Sequence, residues 1–388
     1  MTAGSVATRT AISPPPASGA WRPGDPPGAR RFLDTGRQRL ERGGELPAVT
    51  VAYETWGTPR FEAGEVTNAV LVLHALTGDS HVAGPAGPGH PTAGWWDPLV
   101  GPGRGLDTDR WWVVAPNVLG GCQGTTGPAS AGPDGRPWGS RWPALTVRDQ
   151  VETERRVADR LGVRRWALVV GGSMGGYRAL EWSVTHPDRV ARLAAIATTA
   201  AASADQIGVQ TAQLLAVQGD PGWQGGGYHD SAPGGGPHTG LGIARRVAHL
   251  TYRSGFELET RFGGAPQDGE DPFDGGRFAV QSYLDHQADK LLRRFDAGSY
   301  VTLTDTMNTH DIGRGRGGVE AALARVTART AVVAVDSDRL YPPEQQARIA
   351  AGVPGALPLV VVSSPYGHDG FLLEAGAIGA VVRDLLGD

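Results

Sequence analysis

The chain has 388 residues, enough to bury one large core and an inserted subdomain. Its 36 basic and 40 acidic residues leave a net charge of −4, which gives no reason to expect nucleic acid or an anionic membrane as a partner. The single cysteine, Cys122, excludes an internal disulfide and a multi-cysteine metal site and fits a reducing compartment, and no apolar stretch approaches the ~20 residues of a membrane helix.

Residues 1–30 are rich in Pro, Ala, Gly, Ser and Thr and lack the apolar centre of a signal peptide, so a disordered tail is expected there. From about residue 48, strand-like runs occur at 49–53, 69–73, 111–115, 166–170, 193–197, 330–335 and 357–362, mostly apolar throughout, as strands covered on both faces must be. Helical segments lie between several of them. The clearest is 147–161, with Thr146 and Asp149 spaced as a capping box, Val147, Val151 and Leu161 near one face, and Gly162 as its stop. Alternation of this kind predicts an α/β fold with a parallel sheet.

The run 166–170 leads directly into Gly171-Gly172-Ser173-Met174-Gly175, and a helix-like stretch follows at 177–183. This is the pattern of a nucleophile elbow, in which a strained turn lifts a serine off a strand end and the glycines let strand and helix approach without side-chain clash. Between about 200 and 325 the strand signals fade, and helix-compatible stretches at 204–218, 243–252 and 277–295 predict a helical lid inserted between two core strands, with 225–242 as a glycine-rich loop. The run 330–335 ends in Asp336-Ser337-Asp338, and 357–362 ends in a loop holding His368-Asp369. Serine, acid and histidine thus follow in the order an elbow serine needs, each past the C-terminal end of a predicted parallel strand. The residues alone leave Asp336 and Asp338 level. Cys122 lies in a Gly/Thr-rich loop and reads as a packed thiol, the ten histidines show no metal-ligand spacing, and 313–318 reads as a flexible loop and not a phosphate loop.

Five segments in this order carry a resemblance: Leu73-His74-Ala75-Leu76-Thr77-Gly78; residues 117–128 (Asn-Val-Leu-Gly-Gly-Cys-Gln-Gly-Thr-Thr-Gly-Pro); the elbow with Ala179-Leu180-Glu181-Trp182; Ser337-Asp338-Arg339-Leu340-Tyr341-Pro342-Pro343; and Tyr366-Gly367-His368-Asp369-Gly370-Phe371-Leu372. From about residue 35 to its end the chain resembles the homoserine O-acetyltransferases of methionine biosynthesis, acyltransferases of the α/β-hydrolase fold. The resemblance implies a mostly parallel sheet with helices on both faces, its core formed by 31–199 and 326–388 and its lid by 200–325. It makes Ser173 the nucleophile, Asp338 the acid and His368 the base, with the backbone N–H groups of Met174 and Leu76 as oxyanion donors. In the lid it gives Arg245 the homoserine carboxylate, with Arg246, about 100° around a helix, as the adjacent competitor. Asp369 meets the ammonium, against the plainer role of capping the following helix, and Tyr252 lines the same pocket. The implied substrates are acetyl-CoA and L-homoserine, with no cofactor and no metal, in a cytoplasmic homodimer. Fold and triad alone leave open succinyl-CoA as donor, serine as acceptor, an esterase using the same triad, and a non-catalytic member of the fold; the Arg245 and Asp369 clamp favours an amino-acid acceptor over a general esterase.

Overall fold

In a computed structural model the described residues are 13–387. An eight-stranded sheet forms the centre. Its strands in chain order are β1 (Arg31–Arg39), β2 (Glu45–Trp56), β3 (Ala69–Leu73), β4 (Trp112–Pro116), β5 (Leu168–Gly172), β6 (Arg192–Ile196), β7 (Arg329–Val335) and β8 (Val360–Val362). They are arranged β1-β2-β4-β3-β5-β6-β7-β8. β2 runs antiparallel to both its neighbours, and every pairing from β4 to β8 is parallel.

The all-apolar runs are the buried middle of this sheet. Alternate residues feed opposite layers, as the two-residue period of a strand requires. Leu71, Val169, Leu193 and Val332 face one core, with Tyr177, Leu180 and Ile349 of the covering helices. Val70, Val170, Ala194 and Val333 face the other, with Ile378, Val382 and Leu385 spaced along one stripe of a helix. The helices are α1 (Val147–Arg160), α2 (Met174–Thr185), α3 (Ala204–Gln218), α4 (His238–Tyr252), α5 (Gly255–Phe262), α6 (Ala279–Leu292), α7 (Ala297–Asn308), α8 (Val319–Leu323), α9 (Pro343–Gly352), α10 (Gly370–Leu373) and α11 (Ala375–Leu386). At α1 the expected capping box forms in both directions: the Thr146 hydroxyl accepts the Asp149 N–H, and the Asp149 carboxylate accepts the Thr146 N–H. Six α-helices, α3 to α8, lie between β6 and β7 among the described residues, and no strand of the sheet occurs there among them.

Three expectations are corrected. Residues 13–30 are packed and not a disordered tail. Ser18 Oγ donates to Asp296 at 2.7 Å, the Gly19 N–H to the Phe295 carbonyl at 3.2 Å and the Trp21 N–H to the Cys122 carbonyl at 2.9 Å. At Gly19 a close backbone approach requires glycine: a Cβ there would sit 2.5 Å from the Phe295 nitrogen. Residues 1–12 of that expectation lie outside the described residues. The loop expected over 225–242 stops short, because α4 already begins at His238; glycine is tolerated in its first turns where a Cβ on Gly240 would lie 2.2 Å from the Ala216 carbonyl oxygen of α3. Finally, β1 was not expected at all. It is an edge strand whose polar, mostly exposed side chains lack the apolar run that marks the others.

Candidate active site

Ser173 stands between β5 and α2 with φ 57° and ψ −127°, a conformation that costs a non-glycine residue roughly 1–3 kcal/mol and persists only where its surroundings enforce it. They do so here through close approach. A Cβ on Gly171 would lie 2.3 Å from the backbone of Gly175, and one on Gly175 would lie 2.0 Å from the Leu73 carbonyl oxygen. The glycines on either side of the serine are therefore sterically required.

Asp338 and His368 are both about 3% exposed and meet at 2.7 Å, with His368 Nδ1 donating to Asp338 Oδ2. The other oxygen of Asp338 accepts the Leu340 and Tyr341 N–H groups, each at 2.9 Å, which fixes the carboxylate in place. Asp336 goes elsewhere. It accepts the Ser364 N–H at 3.0 Å, a bond that lowers its pKa and ties β7 to the loop after β8. The structure thus brings Asp338, and not Asp336, to the histidine. Ser173 and His368 line one cavity of about 250 Å³, with no hydrogen bond between them among the described residues; such contacts are often loose before substrate arrives.

The same cavity holds Leu76, Arg245, Tyr252 and Asp369. The guanidinium of Arg245 lies 5.7 Å from the centre of the Tyr252 ring, and its Nη1 lies 3.5 Å from Thr77 Oγ1. Arg246 points away and pairs with Asp285 of α6 at 2.6 Å. Asp369 makes no side-chain cap to α10; its carboxylate lies 3.1 Å from Arg253 Nε. Burial raises its pKa, against the pull of Arg253, His368 and Arg245. Met174 is the first residue of α2, so its N–H precedes any intrahelical acceptor. Cys122 is buried, and that burial pushes its thiol up to about 12, which makes it a poor nucleophile.

Sequence reasoning missed several groups. Arg253, next to Tyr252, is the partner of Asp369. Arg178 is fully buried and bonded to Glu154 at 2.6 Å, and Trp182 donates to the same carboxylate at 2.8 Å. Glu54 of β2 meets His81 and His90 of the stretch between β3 and β4 at the cavity's edge, and among the described residues these three alone are compact enough to suggest a cation site. Their geometry opposes one. The two rings stack face to face at 3.8 Å with 11° between planes, so their in-plane lone pairs do not converge, and His90 Nε2 already accepts the Ala29 N–H at 3.0 Å.

A family model described as alpha/beta hydrolase fold matches residues 68–375. Homoserine O-acetyltransferase of Thermobifida fusca (strain YX) is 61% identical over 374 residues, covering 96% of this chain and 98% of its own. That of Clavibacter michiganensis subsp. michiganensis (strain NCPPB 382) is 57% identical, with 97% of each chain covered. Among solved structures, homoserine O-acetyltransferase from Bacillus anthracis superposes with a TM-score of 0.84 at 24% identity over 92% of this chain and 97% of that one. Esterase E22 does so at 0.82 and 24% over 92% and 99%. Those two structures, one named as an acyltransferase and one as an esterase, show the fold alone, and identity over nearly the whole length shows the family. The chain belongs to the homoserine O-acetyltransferases, acyltransferases of the α/β-hydrolase fold.

Proposed function

We propose that the protein moves the acetyl group of acetyl-CoA to the hydroxyl of L-homoserine through an acetylated Ser173. His368, held by Asp338 through Nδ1, has Nε2 free to take the Ser173 proton as the serine oxygen attacks the thioester carbonyl. The C–S bond then breaks and the proton passes to the departing CoA sulfur. In the second half, His368 takes the proton of the homoserine hydroxyl as that oxygen attacks the acetyl-serine, and returns it to Ser173 as the ester forms and the enzyme is freed. Both tetrahedral intermediates place a negative oxygen between the N–H groups of Met174 and Leu76, and loss of one such donor costs about 3 kcal/mol of barrier. No cofactor or metal enters this route.

One observation carries the choice of acceptor: Arg245 and Asp369, a cation and an anion, line the cavity that holds Ser173 and His368. A guanidinium takes an α-carboxylate through two parallel hydrogen bonds, and the carboxylate of Asp369 takes the ammonium, with the ring of Tyr252 alongside. We assign the lid to residues 200–325, and the active form to a cytoplasmic homodimer. Exposed Ile207, Leu215, Ile243 and Leu250 on α3 and α4 support self-association through the lid, and no described helix is long and apolar enough to cross a membrane.

The test separates the half-reactions. Acetyl-CoA alone should add one acetyl group to the parent, read by intact-protein mass spectrometry, and none to Ser173→Ala. Arg245→Ala should acetylate at the parent rate yet lose kcat/KM for homoserine by an amount equivalent to roughly 2–5 kcal/mol. Undiminished transfer to homoserine in Arg245→Ala, or faster CoA release with succinyl-CoA or serine than with acetyl-CoA and homoserine, would overturn the assignment.

A further inference from the structure

The loop after β3 contains a buried histidine that no step above uses. His74 is 1% exposed, and both its ring nitrogens are engaged. Nε2 accepts the Val118 N–H at 3.0 Å, and Nδ1 lies 2.8 Å from the Ala75 carbonyl oxygen. A carbonyl oxygen only accepts, and a nitrogen that receives an N–H must offer a lone pair. The ring is therefore the neutral tautomer with its proton on Nδ1. Burial, assisted by the charge of Arg178, pushes its pKa down to about 3, which keeps that tautomer in place at neutral pH.

The Ala75 carbonyl accepts a second bond, from the Gly78 N–H at 2.9 Å. Its carbon belongs to the same planar trans peptide as the Leu76 nitrogen, so the C=O and the N–H point in opposite directions. Two donors on the oxygen therefore fix the direction of the N–H. That N–H finds no acceptor among the described residues, and Leu76 lines the cavity beside Ser173. The neighbouring carbonyls are held as well: Arg178 donates to His74 O at 2.5 Å and Arg294 to Thr77 O at 2.6 Å. Gly78 brings the turn close to the histidine, since a Cβ there would lie 2.8 Å from that of His74.

We infer that His74 is a positioning residue for the reaction: its Nδ1–H, bound to the Ala75 carbonyl, turns the Ala75–Leu76 peptide so that the Leu76 N–H faces the acetyl oxygen in both half-reactions. The inference rests on the reading of Leu76 as an oxyanion donor.

Two substitutions of similar polarity separate this role from filling space. His74→Asn places an amide N–H near the position of Nδ1, within reach of the Ala75 carbonyl. His74→Gln places its amide near Nε2, toward Val118, and leaves that carbonyl without its side-chain donor. Rapid-quench rates of Ser173 acetylation by acetyl-CoA, and of its deacetylation by homoserine, should fall together by at least about tenfold in His74→Gln. The KM values for both substrates should stay near those of the parent, and His74→Asn should recover most of both rates. A space-filling role ranks them the other way, because glutamine is nearer in size to the ring. Parent-like rates in His74→Gln, equal rates in the two variants, or failure of both to fold by circular dichroism would overturn the inference. Leu76→Pro, which removes the N–H itself, keeps the two readings apart. Parent-like acetylation in folded Leu76→Pro removes Leu76 from the oxyanion site, whereas a slow Leu76→Pro with a fast His74→Gln sinks the role of His74 alone.

Discussion

At the scale of single residues, two aspartates on one turn have opposite duties. Asp338 is buried against His368 at 2.7 Å, while exposed Asp336 ties β7 to Ser364. Asp338→Asn keeps the size but cannot hold the imidazole in its working tautomer, so turnover should fall by about 10⁴. Asp336→Asn loses one partly exposed bond, and its turnover should stay within a few-fold of the parent. Steady-state kcat for the pair checks this, and reversed effects would move the acid to Asp336. The sequence left these two level because both follow the same strand end, and which one turns inward depends on backbone N–H groups at 340 and 341 that no residue type announces. His74, Arg178 and Arg253 were illegible for a related reason: each is defined by a partner that the fold supplies, such as Glu154 for Arg178, 24 residues away. Ser173, by contrast, was legible because its glycines are dictated by local sterics.

Secondary elements show what glycine means in two settings, one on α3 and one on α4. Gly240 lies where α4 meets α3, and a Cβ there would be 2.2 Å from a backbone oxygen of α3. Gly240→Ala must push the helices apart, and the loss should be about 1–3 kcal/mol by urea unfolding. Gly208, exposed within α3, has nothing within 4 Å, so Gly208→Ala should be neutral or stabilising by up to about 1 kcal/mol through helix propensity alone. Equal losses in the two variants would mean that the α3–α4 contact does not set the requirement. Strands with fully apolar runs, such as β3 and β7, were legible to within a residue or so, because burial on both faces writes itself into composition. Edge strand β1 and the start of α4 were not: solvent on one side and a glycine-dependent contact on the other remove the usual pattern.

Across the whole molecule, pH acts on stability through the polar cluster where the N-terminal segment meets the sheet. Burial works against a charged His81, but the Glu54 carboxylate 2.9 Å away outweighs it and raises the His81 pKa above 6.5. A histidine raised on folding contributes stability that is fully present below its unfolded pKa and is lost as pH rises through the folded value. The Tm advantage of the parent over His81→Gln should therefore be largest near pH 6 and narrow toward pH 9; a constant difference across that range would contradict the charged pair. The segment that meets this cluster has a further consequence, for the order of folding. Ser18 is bonded to Asp296, 278 positions later, and Tyr228, His229 and the Ser299 N–H converge on the same carboxylate. On a ribosome, residues 13–30 emerge early but meet this partner only when the start of α7 has been made. Their docking is a late, non-local step with a large closure entropy, so the stretch of chain made first among the described residues is among the last to find its place.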